Sequence, residues 1–103
     1  MIISGGLNVY PREIELVLDE FAGVSESAVI GIPDDDLGER VHAYLVVDAG
    51  VDLMELSEHA RAQLAGFKVP KGFDLIDALP RNTMGKVQKS LLRQRGSGST
   101  DAL

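Results

Sequence analysis

The apolar residues of the chain change period several times, and each change marks an element. From Pro11 onward Ile14, Val17, Leu18 and Phe21 recur at i, i+3, i+4 and i+7, the single stripe of an amphipathic helix. Pro11 suits its first turn, Glu13 and Glu15 lie near its positive end, and Gly23 stops it. Two runs then read as strands, residues 27–32 and 41–47, joined by the turn-rich Pro33-Asp34-Asp35-Asp36-Leu37-Gly38-Glu39. Ala49-Gly50 breaks the second strand. Asp52 with Glu55 resembles a capping box, which opens a second helix through about Leu64 with Leu53, Leu56, Ala60 and Leu64 facing inward. After Gly66 a third short strand is predicted over residues 72–77, then Leu79-Pro80, a loop holding residues 81–86, and a last short helix from about Gln88.

Before all of these, two extended pieces flank Gly5-Gly6, a pair that permits positive φ and therefore a tight hairpin or a ligand-facing bend. Helices and strands interleave around only three core strands. The predicted class is α+β, a small three-stranded core sheet with flanking helices and an N-terminal β-hairpin, rather than a doubly wound sheet. A chain of 103 residues, 45% apolar, has material for one modest core, so residues 1–95 form one domain and the Gly/Ser-rich residues 96–103 a flexible tail.

Composition narrows the chemistry. Without Cys there is neither a disulfide framework nor a thiolate metal site. No apolar run approaches the roughly 20 residues of a membrane helix, and no secretory signal opens the chain, so the expectation is a cytoplasmic protein with no membrane partner. The net charge of −6 is unevenly spread: residues 1–50 carry 10 acids and 2 bases, whereas residues 68–95 carry seven bases against Asp74 and Asp77. Such a run attracts phosphorylated ligands. No aromatic residues interleave with it to stack bases, which argues against nucleic acid.

Single motifs carry little. Gly85-Lys86 lacks the upstream Gly and the following Ser/Thr of a phosphate-binding P-loop. Asp34-Asp35-Asp36 lacks the spacing of a Ca²⁺ loop and reads as a solvated turn. His42 and His59 have no evident nucleophile or ligand partner, and no Ser occupies a nucleophile elbow. No metal site is predicted.

Taken together, however, spaced segments carry a resemblance: residues 1–11, Glu13-Ile14-Glu15, Gly31-Ile32-Pro33-Asp34 with Gly38-Glu39, Phe67-Lys68-Val69-Pro70, and Leu79-Pro80-Arg81-Asn82-Thr83-Met84-Gly85-Lys86. In order and spacing they look like the C-terminal domain of AMP-forming acyl-CoA synthetases, over nearly the whole chain. Residues 81–89 look closest to malonyl-CoA synthetases. The resemblance implies a small domain that rotates over a large N-terminal adenylation domain, its expected partner. One pose serves formation of an acyl-adenylate from ATP and a small carboxylic acid; the other serves attack by coenzyme A. ATP and Mg²⁺ would be held mainly by that N-terminal domain, which with the hinge would precede Met1. The 103-residue chain alone is expected to be inactive. A domain that loads a carrier protein, or a free-standing interaction module without catalysis, are the alternatives.

The resemblance also assigns residues. Lys86 matches the adenylation lysine, with Gly85 letting the backbone come close. Ser4, Gly5 and Gly6 match a loop that lines the pantetheine passage, and Lys68 matches a lysine that contacts CoA phosphate in some members. At Leu37 some relatives have a basic residue, so that contact is in doubt here. Glu13, Glu15, Asp34 and Glu39 match family positions as well and are read as folding residues, through helix N-terminal charge and turn formation.

Overall fold

The computed structural model describes residues 1–94. Strands β1 (Ile2–Ser4) and β2 (Leu7–Val9) precede helix α1 (Pro11–Asp19); β3 (Val24–Asp34) and β4 (Gly38–Val47) follow, then helix α2 (Leu53–Gln63), a 3-10 turn at Gly66–Lys68, and β5 (Gly72–Leu75). Residues 89–94 are again helical. The fold is α+β, with the core sheet and the N-terminal hairpin that the periodicity predicts. The expected flexible tail, residues 96–103, lies outside the described residues.

The long antiparallel pair β3/β4 is the spine of the sheet. Along one edge of β4, β5 pairs in parallel over His42 to Leu45, reached by the α2 crossover, and β1 pairs antiparallel through Ser4 and Gly38. The hairpin is thus continuous with the sheet, giving five strands. Both central strands run further than their apolar residues suggest, because β3 continues through Pro33 and Asp34 and β4 begins at Gly38. The last predicted strand is shorter: β5 ends at Leu75, and the Ile76 amide donates to the Leu45 carbonyl at 2.9 Å before the chain turns away.

Alternation along β3 and β4 builds two cores, one on each face of the sheet. Val29, Val41, Ala43 and Leu45 face the helices and pack with Ile14 and Leu18 of α1 and Leu56 and Ala60 of α2. Leu53 and Leu64 join that cluster, as the helical spacing predicts. Ala28, Ile30, Ile32 and Tyr44 face the other way and are covered by Leu79, Leu92 and the partly buried Ile76 and Val87. The segment after β5 is therefore the second layer, and the unbroken apolar run 28–32 is the mark of a strand buried on both faces. Asp52 caps α2 through the Met54 and Glu55 amides at 2.8 and 3.4 Å.

The β3–β4 turn depends on Asp34, whose Oδ1 accepts from the Asp36 and Leu37 amides, both at 2.9 Å. The Leu37 and Asp36 amides, with lesser help from Arg40 and Lys71, hold the Asp34 carboxyl below its ordinary range. A carboxylate depressed in the folded state stabilises fully above the unfolded value of about 3.9, and that contribution fades as pH falls through the lower folded value. Asp34→Asn, which keeps an acceptor but does not titrate, is expected to flatten the acid limb of stability in that window alone. Urea midpoints measured from pH 2 to pH 6 check this; an unchanged acid limb would remove Asp34 as its source.

Candidate functional site

The two groups of residues that the sequence singles out stand at opposite ends of β3. At one end, Gly5 and Gly6 form the β1–β2 bend with φ of 59° and 80°. A two-residue turn with both φ positive matches the right-handed twist of a hairpin and excludes most side chains on conformational grounds. The bend is tied to the sheet by three contacts. The Gly5 amide donates to the Leu37 carbonyl at 2.8 Å, the Ile3 amide donates to Glu39 Oε1 at 3.0 Å, and Ser4 stands opposite Gly38 in the ladder. Ser4 is only 6% exposed, whereas Gly5 and Gly6 are open to solvent.

Lys68 sits on the 3-10 turn adjoining β2, and its Nζ already has a partner, Glu13 Oε1 at 2.8 Å. The structure therefore puts Lys68 beside the hairpin, but with its cation engaged by the first turn of α1.

At the other end of β3, Leu79 is buried and the chain after it crosses the second face before turning back. Arg81 and Val87 form an antiparallel bridge that closes the loop. Asn82 organises its interior: its backbone amide donates to the Lys86 carbonyl at 2.9 Å and its carbonyl accepts from the Gly85 amide at 2.9 Å. Its side-chain Oδ1 accepts from the amides of Met84 (2.9 Å) and Lys86 (3.1 Å). Gly85 takes φ 84°, and Arg81 Nη1 donates to its carbonyl at 2.7 Å. The other end of the Arg81 guanidinium is ion-paired with Glu26 of β3. Lys86 is exposed on the returning arm of the loop, beside the Arg81–Val87 bridge, and makes no ion pair among the described residues.

Glu26 and the Asp34 turn are eight residues apart on β3, roughly 26 Å of extended strand. Lys86 with Gly85 thus lies roughly a strand's length from Ser4, Gly5 and Gly6, whereas Lys68 is held on α1 between the two ends.

The basic C-terminal run is less free than its composition implies, because Lys68, Arg81 and Lys89 each hold an acid of the N-terminal half: Glu13, Glu26 and Glu15. Among these acids Glu15 has a part that sequence reading did not find. It lies beyond the first turn of α1, is 8% exposed, and its Oε2 accepts from the Val29 amide at 2.9 Å and from Lys89 Nζ at 2.8 Å. Glu15 therefore satisfies the free edge of β3 rather than the helix dipole. The signal available was an acid placed directly beside the apolar stripe of α1. A polar cleft of about 280 Å³ runs alongside, lined by Arg12, Asp19 and Ser25 among others, with charges of both signs.

Both histidines have partners within the fold. His42 Nε2 lies 2.9 Å from Asp74 Oδ2 across the β4/β5 pair, and His59 Nε2 lies 3.2 Å from the Val17 carbonyl. Among the described residues no group of three His, Asp or Glu could hold a metal ion, and no helix is long and apolar enough to cross a membrane.

Residues 13–86 match the family described as AMP-binding enzyme C-terminal domain. The chain is 48% identical over 92 residues to 2-succinylbenzoate–CoA ligase of Bacillus licheniformis, covering 89% of this chain and 19% of that protein. Among solved structures it superposes on a Mycobacterium tuberculosis fatty acyl CoA synthetase with a TM-score of 0.92 and 46% identity, covering 96% of this chain and 20% of that one. On apo MatB from Rhodopseudomonas palustris the TM-score is 0.87 with 53% identity, covering 90% and 19%. The chain thus spans about a fifth of the length of the relatives it matches.

Proposed function

Because this chain belongs to the AMP-binding enzyme C-terminal domain family, we propose that residues 1–95 are the mobile C-terminal domain of an ATP-dependent, AMP-forming acid:CoA ligase. Its partner is an N-terminal adenylation domain, which holds ATP, Mg²⁺ and the carboxylic acid. The observation that carries this reading is the separation of the Gly5-Gly6 bend from the Lys86 loop by the length of β3. A rigid domain with two such ends can present only one of them to a cleft at a time. That is what a two-step reaction asks of it.

In the first step a carboxylate attacks the α-phosphorus of ATP and pyrophosphate leaves. Like charges approach, and the transition state concentrates negative charge at phosphorus. Lys86 is the group this chain offers: at 4 Å from one unit charge an ammonium is worth roughly 4 kcal/mol at an effective dielectric near 20. Because the loop is already bonded to itself through Asn82, little reorganisation accompanies the reaction. In the second step the domain turns, the Gly5-Gly6 bend faces the cleft, and the thiol of coenzyme A attacks the adenylate carbonyl while AMP leaves. Ser4 is buried, so its share is to hold the bend through the ladder; the surface toward the pantetheine arm is Gly5 and Gly6. Lys68 reaches a CoA phosphate only by giving up Glu13.

The identity of the acid is a property of the adenylation domain's pocket. The likeness of residues 81–89 to malonyl-CoA synthetases makes malonate the first acid to test, by pyrophosphate release from the full-length protein across a panel of carboxylic acids.

The bend supplies a sharper test. Among the described residues beyond its chain neighbours, no atom lies within 4 Å of a Cβ built on Gly6, so the objection to a side chain there is the φ of +80°. Asn tolerates that region. Gly6→Asn in the full-length protein is therefore expected to fold and to keep its rate of adenylate formation, while thioester formation falls at least about tenfold, the effect of roughly 1.4 kcal/mol on a barrier. Single-turnover pyrophosphate release beside thioester yield reads both. Equal loss in the two steps, or loss in neither, would sink the assignment of the bend.

A further inference from the structure

We propose that Asn82 and the Arg81–Glu26 pair are positioning residues for the adenylation step, which fix the loop so that the Lys86 ammonium is aimed before substrate arrives. This rests on the reading of Lys86 given above. Sequence alone offers a flexible stretch, Arg81-Asn82-Thr83-Met84-Gly85-Lys86, with a glycine immediately before the lysine. The structure instead shows it latched twice.

The inner latch is Asn82. A single carboxamide oxygen gathers the Met84 and Lys86 amides, at 2.9 and 3.1 Å, while the Asn82 backbone exchanges bonds with Lys86 and Gly85. The lysine's own amide and carbonyl are both held by Asn82, so the direction in which its Cα–Cβ bond leaves the loop is set by that one residue. The outer latch is Arg81, which bridges the loop and strand β3. Its Nη1 holds the Gly85 carbonyl at 2.7 Å, and its Nη2 pairs with Glu26 on β3.

Both latches lie at the surface, outside the two cores. Asn82 and Arg81 are exposed, and the side chains of the Arg81–Glu26 pair are 42% and 34% exposed, where an ion pair contributes little to stability. What they determine is placement, and misplacing a catalytic group by about an ångström costs on the order of 100-fold in rate.

The test uses the full-length ligase and its pyrophosphate release under single turnover. Asn82→Ala is expected to lower the adenylation rate roughly 10- to 100-fold, with the apparent KM for ATP, the melting temperature, and thioester formation from supplied acyl-adenylate all unchanged. Asn82→Ser, which keeps a shorter acceptor for the same amides, should restore most of the loss. Glu26→Gln should act in the same direction more weakly. Because these residues act through Lys86, Asn82→Ala added to Lys86→Ala should cost nothing further. The proposal is overturned if Asn82→Ala costs the same factor with and without Lys86, or if it leaves adenylation intact while Lys86→Ala abolishes it. If Lys86→Ala itself leaves adenylation intact, the underlying assignment of the lysine fails instead.

Discussion

Lys86→Ala in the full-length protein is expected to lower acyl-adenylate formation by about 100- to 1000-fold, the usual cost of removing one aimed electrostatic contact, while thioester formation from supplied acyl-adenylate stays near the parent rate. The asymmetry follows from the fold. Lys86 stands at the Glu26 end of β3, and the Gly5-Gly6 bend stands at the Asp34 end. When the bend faces the cleft, the lysine is roughly the length of the strand away, beyond the Debye length of about 8 Å at physiological salt. It can contribute nothing to the second step. Stopped-flow pyrophosphate release and a coupled thiol assay measure the two steps separately. Because the side chain is solvent-exposed, the variant should melt with the parent, so a shared loss in both steps could not be blamed on unfolding and would count against the assignment.

The second large effect is on stability. Glu15→Ala should destabilise the chain by about 2 kcal/mol, since it strips the acceptor from the buried Val29 amide and leaves Lys89 without its counter-charge. For a domain of this size that is a fall in melting temperature of roughly 10 °C. Glu15→Gln separates the two contributions. It keeps an oxygen for the Val29 amide and gives up only the charge pair with the partly exposed Lys89, so it should cost less than about 1 kcal/mol. Denaturant midpoints of the three proteins provide the check. If Gln proves as damaging as Ala, the ion pair and not the covered strand edge would be what matters.

Periodicity made most of the helix-side core legible. The stripe of α1, the inward residues of α2 and the two central strands all follow from spacings of 3.6 and 2. The other face was less legible, because Leu79 belongs to a segment with neither period and Leu92 to a helical stretch of less than two turns, residues 89–94, too short for an apolar stripe to show which way it faces. The site shows the same division. Lys86, Gly85, Gly5 and Gly6 were visible as spaced motifs, while Glu26 lies 55 residues from its partner Arg81. A pairing across that distance is a product of topology, which no window along the chain contains. Glu15 was visible as an acid but was given the wrong job, since a carboxylate near a helix start is usually there for the dipole.

The second layer of the sheet has a consequence for how such a domain can change over time. The strand faces bearing Ala28, Ile30, Ile32 and Tyr44 are roofed by residues on either side of the Lys86 loop, Leu79 before it and Val87 and Leu92 after it. The stretch that carries the proposed chemistry is also the cover of a hydrophobic surface, so a lineage that abandons the reaction cannot simply discard it. Deleting the stretch would uncover an apolar sheet and invite self-association. Decay is confined to the exposed loop between those anchors, where a lysine can be exchanged without disturbing the roof. A relative that has lost ligase activity should therefore keep the length and apolar anchors of this stretch and differ in its exposed charges.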